Sequence, residues 1–144
     1  MDDLQILGDV RPGGRQRWTH ADLDSAPAGA RVNDISKVLP GRRGRGVLLR
    51  WLIEQSCPGE AARWACLESA DGSFAASLEV DDLEGAVVVH ADEQGPLGQD
   101  RGGPFRLLIP GAADACGNIK HLGRVTLGAA PERDTRPPES ERNC

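Results

Sequence analysis

The sequence predicts an α+β fold: a mixed, mainly β core with two or three helices packed on it. Three observations point there. Glycine and proline are frequent, 18 and 10 of 144 residues, which suits short strands joined by turns better than a helical bundle. Two apolar runs, residues 105–109 and 119–127, flank a Pro110-Gly111 turn and a small-residue loop, and read as strand, loop, strand. Val47, Leu48, Trp51 and Leu52 recur at helical spacing and mark a helix. Only 3% of the residues are aromatic and none is Tyr, so the core must be mostly Val, Leu, Ile and Ala. The length favours one domain.

Taken in order, residues 4–10 read as a first strand, broken by Arg11-Pro12-Gly13-Gly14. A helix starts near Thr19, a suitable N-cap with Asp22 three residues on. Residues 25–30 are a small-residue loop, and residues 31–46 are mixed and basic. The helix from Val47 runs to Gln55 and stops before Pro58-Gly59. Residues 63–67 form a short strand. Asp71-Gly72 then signals a type I′ hairpin, which needs positive φ at both central positions, with residues 74–78 returning. Residues 80–83 make a short turn or helical step, residues 87–91 an apolar strand interrupted by His90, and residues 92–104 a loop. The domain is expected to end at 127. Residues 128–144, rich in Pro, Arg, Glu and Ser, read as a disordered tail.

Charge is uneven along the chain. The net charge is −5, which disfavours general nucleic-acid binding. Residues 31–50 nevertheless carry six cations against Asp34 alone, while residues 68–100 carry nine carboxylates and no Lys or Arg. Two solvated faces of opposite sign explain this, and so does an anion site in the basic stretch. Cys57, Cys66, Cys116 and Cys144 have no zinc-like spacing. Met1-Asp2-Asp3 is acidic where a leader would be basic, and no apolar run is long enough to span a membrane. A cytoplasmic protein with reduced thiols is the expectation, with Cys66 packed in a strand as a small apolar group.

Several segments together carry a family likeness. They are LQILGDVRPGGRQRWTHADL, GRGVLLRWLIE, ACLESADGSFAASLEVDDL and GGPFRLLIPG followed by CGNIKHLGRVTL. Their order and spacing resemble the oxidoreductase molybdopterin-binding domain of the sulfite oxidase type, in a reduced form. The resemblance implies a molybdopterin cofactor and oxygen-atom or electron transfer. It places Lys120 beside the pterin and its phosphate, and the Arg42–Arg45 loop at the border of the cofactor. By their own chemistry, Arg42, Arg43 and Arg45 beside a helix start suit a phosphate or form an exposed basic loop. Arg106 suits an anionic ligand or a partner among residues 79–84.

One departure matters. The family ligates molybdenum through a cysteine thiolate between the first helix and the GRGVLLRWL segment. Here residues 25–46 contain no cysteine, and the ligand position falls near Val32, Asn33 or Asp34. Neither an amide nor a carboxylate replaces a soft thiolate. No metal ligand is therefore assigned. The residues contain no Ser/His/Asp arrangement and no close His pair, so no catalytic residue is assigned either. His90 reads as a hydrogen-bonded core histidine, His20 as exposed, and Asn118 as a structural amide. The functional expectations are a molybdopterin-binding oxidoreductase or its degenerate form, a non-catalytic binding module that keeps the fold, and a redox domain in which Cys116 reacts. No protein partner is indicated.

Overall fold

The computed structural model describes residues 3–39, 41, 43–110 and 118–135. Arg42 and Cys116, both singled out from sequence, lie outside the described residues.

Among the described residues, two sheets, two short α-helices and three 3-10 turns make up the fold. The first sheet is ordered β2 (Arg17–Trp18), β1 (Leu4–Gly8), β11 (Leu122–Gly128), β5 (Trp64–Ser69) and β6 (Ala75–Glu79). Its one parallel pair is β1 with β11. The second sheet is ordered β10 (Asn118–Ile119), β9 (Arg106–Leu108), β7 (Val87–Asp92), β4 (Arg45–Leu48) and β3 (Arg31–Val32), with β8 (Gly95–Pro96) beside β7. The helices are α1 (His20–Asp24) and α2 (Leu49–Gln55).

The main core lies between the sheets and joins Leu4, Ile6, Leu67 and Val125 of the first to Val47, Val88 and Leu107 of the second, with Leu23, Leu49 and Leu52 from the helices. A smaller cluster of Ile35, Val87, Val89, Leu97 and Leu108 covers the outer face of the second sheet. This explains why β7 is buried almost throughout: a strand covered on both faces loses the alternation of a half-exposed one.

The sequence and the structure differ in four places. Val47 and Leu48 belong to β4 rather than to a helix, because Val47 pairs with Arg31 on one side and Val88 on the other. Helix α2 begins only at Leu49. The Asp71-Gly72 turn is not type I′, since of the two only Gly72 has positive φ (+76°). Instead Asp71 Oδ1 accepts hydrogen bonds from Ser69 Oγ, Ser73 N and Ser73 Oγ at 2.7–2.9 Å, so the side chain shapes the loop. The run 119–127 is two strands in different sheets, turned at Lys120 and His121, where His121 has φ +56°.

The fourth difference is the tail. Residues 132–135, within the 128–144 stretch expected to be disordered, run along β6. Thr135 N–H donates to the Ala75 carbonyl at 2.8 Å, Ala75 N–H to Thr135 Oγ1 at 3.0 Å, and Ser77 Oγ to the Arg133 carbonyl at 2.9 Å. These bonds satisfy an otherwise open sheet edge, a gain that an apolar count does not register. Residues 136–144 lie outside the described residues. Among the described residues no helix is long and apolar enough to cross a membrane.

Candidate functional site

Three neighbouring hollows form a cleft along the second sheet, the third reaching the 69–74 turn of the first. The central part, about 500 Å³, has Val89, Leu97 and Leu108 as its apolar floor and is rimmed by Arg43, Arg101, Arg106, Asp92, Glu93 and Asp100. A second part, about 770 Å³, shares Arg43, Asp92 and Glu93 with it and continues over Asn33, Asp34 and Arg45. A third, about 460 Å³, shares Arg106 and opens toward Asn118, Lys120, His121, Asp71 and Ser73. Arg43, Arg45, Arg106 and Lys120, all expected from sequence, are distributed over these three hollows, with Arg43 shared by the first two and Arg106 by the first and third.

They do not line the cleft in the same way. At one end, Arg43 and Glu93 face each other at 3.4 Å with side chains 79% and 75% exposed, and Arg45 pairs with Asp24 at 3.6 Å. Pairs this open contribute at most about 1 kcal/mol. In the centre, Arg101 Nε lies 2.6 Å from Asp92 Oδ2. Cations and carboxylates are thus matched in the central part, which is not the purely basic hollow that the charge runs suggest.

At the other end, Arg106 Nε donates to Asn118 Oδ1 at 2.8 Å and its NH1 to the Arg101 carbonyl at 3.2 Å. Asn118 is therefore the structural amide expected of it, with Arg106 as its partner. Gly102, at φ +89°, lies between the stems of Arg106 and Lys120: a Cβ there would stand 3.0 Å from Arg106 Cδ and 3.1 Å from Lys120 Cγ. His121 N–H donates to the Gly102 carbonyl at 2.7 Å, and His121 Nδ1 lies 2.7 Å from the Gly103 carbonyl oxygen. Two cations are thus seated side by side on a fixed backbone corner. Asp71 faces them. Hydrogen bonds from the Ser73 hydroxyl and N–H, then from Ser69, push its pKa down to about 2, so it stays ionised.

The proposed ligand position holds no sulfur. Val32 packs against the smaller core cluster, and Asp34 Oδ1 accepts from Ser36 N at 3.0 Å and Ser36 Oγ at 2.5 Å. Of the described thiols, Cys57 is exposed after α2 and Cys66 is buried in β5, where burial raises its pKa. Neither lines the cleft. The Gly102 corner thus offers two cations suited to an anionic group, and among the described residues no thiol lines the cleft.

Sequence reasoning missed one cluster. His20 and His90, read as unrelated, are an edge-to-face pair with ring centroids 4.9 Å apart, and Asp24 lies beside them. They are 70 residues apart in sequence, but Thr19 and Asp22 fix the start of α1 by a reciprocal capping box and set His20 over β7. Burial, then the charges of His20 and Arg45, push the His90 pKa down to about 4, with Asp24 opposing, so His90 is neutral at neutral pH.

Known proteins share this architecture. The sulfane dehydrogenase SoxCD of Paracoccus pantotrophus superposes with a TM-score of 0.68 over 90% of this chain and 39% of its own, at 18% identity. Nitrate reductases [NADPH] of Fusarium oxysporum and Beauveria bassiana are 32% and 30% identical over 94 residues, 60% of this chain. The chain spans about a tenth of the length of those fungal enzymes. Residues 41–135 match the profile of the oxidoreductase molybdopterin binding domain, a stretch from the Gly-Arg loop to the strap beyond β11. That match covers more than half of the sequence: the chain belongs to the oxidoreductase molybdopterin-binding domain family.

Proposed function

We propose that this chain binds the phosphorylated pterin of its family at the Arg106–Lys120 corner, as a binding module without a thiolate-ligated metal. The supporting observation is the seating of both cations against Gly102. Arg106 is held at the corner by Asn118 and the Arg101 carbonyl, and Lys120 supplies a second charge beside it. The apolar floor of Val89, Leu97 and Leu108 suits a flat heterocycle next to that anion subsite. Arg43, paired with Glu93 in solvent, adds long-range attraction rather than a defined contact. With its metal, such a cofactor supplies oxygen-atom or electron transfer. This chain's residues hold and orient the organic part, and no described thiol reaches the cleft.

The test is compositional. The full chain is purified from cells able to make the cofactor, then assayed for pterin fluorescence after denaturation and for molybdenum by elemental analysis. The expected result is near-stoichiometric pterin with molybdenum well below it, and loss of pterin in an Arg106→Ala/Lys120→Ala variant. Absence of pterin overturns the proposal. Stoichiometric molybdenum overturns its second half and restores the full oxidoreductase reading.

A further inference from the structure

We propose that His20, Asp24 and His90 form a binding site for one zinc-like divalent cation, independent of the pterin corner. One ligand atom from each residue lies within 4.8 Å of the others. The two Nδ1 atoms are 3.3 Å apart. Two nitrogens bound at about 2.0–2.1 Å to a tetrahedral ion stand roughly 3.3–3.4 Å apart. The imidazole pair thus already spans one edge of a zinc tetrahedron.

The backbone explains why the three residues meet. His20 and Asp24 are four apart on α1, so they share a face. His90 lies at an irregularity in the β4–β7 ladder: the register passes from Gly46↔Val89 to Arg45↔Ala91 and leaves His90 without a partner on β4. Such bulges re-aim a side chain. Its carbonyl is fixed by Leu97 N–H at 2.9 Å and lies 3.1 Å from His20 Nδ1. His90 itself is only 2% exposed, so its ring cannot turn to water. In the metal-free chain one proton between the two rings satisfies both nitrogens, and an ion replaces that proton.

Asp24 completes the set. It is exposed and, among the described residues, pairs with Arg45 at 3.6 Å, an open pair that separates at little cost. Two imidazoles and one carboxylate favour zinc or copper over magnesium or calcium, which demand oxygen shells. Water takes the fourth position, as in open zinc sites.

The experiment uses the full chain, stripped with chelator, kept reduced, and titrated calorimetrically at neutral pH with zinc chloride and separately with magnesium chloride. One zinc ion per chain is expected, with no magnesium heat. Asp24→Asn and His20→Ala are each expected to weaken zinc binding at least about ten-fold. Asp24 is exposed, so its variant remains decisive if His20→Ala fails to fold. No zinc binding overturns the proposal, and so does binding of unchanged strength in Asp24→Asn, which would place the ion on cysteines.

Discussion

The loop that leads into β4 and the corner before β9 are both rich in arginine and glycine, yet they are different objects. The loop holds Arg43 and Arg45 in solvent against Glu93 and Asp24. The corner holds Arg106 and Lys120 against backbone, with Asn118 and His121 fixing the geometry. A cation becomes a ligand-binding group when something other than the ligand sets its position, because then little ordering remains to be done on binding. By that measure the corner is the site and the loop is its electrostatic surround.

Glycine substitution breaks the comparison most sharply. A Cβ at Gly103 would stand 2.0 Å from the Leu97 carbonyl oxygen, a backbone atom that cannot step aside. Gly103→Ala is expected to cost more than about 3 kcal/mol, at the upper end for overpacking. Gly41 in the loop has φ +88° but, among the described residues, nothing within 4 Å of such a Cβ. Gly41→Ala is therefore expected to cost only the left-handed strain, about 1 kcal/mol. Urea unfolding of the two variants measures the difference. Equal losses would mean that the corner is no tighter than the loop.

The second prediction sharpens the loop side, where His90 lies behind the open Arg45. Its pKa of about 4 in the folded chain is below its ordinary value of 6.5. Between those values the unfolded chain takes up a proton that the folded chain refuses. Stability is therefore full above pH 6.5 and falls as pH drops toward 4, by on the order of 3 kcal/mol for the metal-free chain. Asp22, Asp34 and Asp71 have lowered pKa values, so their contributions are lost only below about 3.8 and leave the window to His90. Urea midpoints at pH 7 and pH 4.5, with chelator present, check this. A flat profile would show that the ring is solvated.

Much of this was legible in the chain, and the omissions have physical causes. The longer strands β1, β5, β6 and β7 followed from apolar runs, and the start of α1 from Thr19 and Asp22, because both signals are local, whereas the two-residue strands β2, β3 and β8 left no such run. Val47 and Leu48 misled because a short apolar run fits either period until a neighbouring strand claims it. The strap through Thr135 was invisible because polar bonds to an edge strand, not apolar burial, hold it. At the site, Arg106 and Lys120 were found through family motifs, while their juxtaposition needed the fold of Gly102. The His20–His90 pair left no local trace, since a strand bulge and a helix cap must coincide to form it.

The smallest effect separates the two arginine sets by function rather than stability, and rests on the proposed pterin binding. Asn118→Ala removes one of the acceptors that hold Arg106, the one on its Nε, while leaving every charge in place. Pterin retention is expected to fall about ten-fold, the equivalent of one charge-assisted hydrogen bond losing its preorganisation. Arg43→Ala deletes a full charge from the rim, yet its partner Glu93 is 75% exposed and stays solvated when left alone. Retention there is expected to change less than about two-fold, and that small change to vanish at high salt. Pterin content across a salt series, measured side by side in the two variants, distinguishes the cases. If the charge deletion outweighs the amide deletion, attraction by the loop and not seating at the corner holds the ligand.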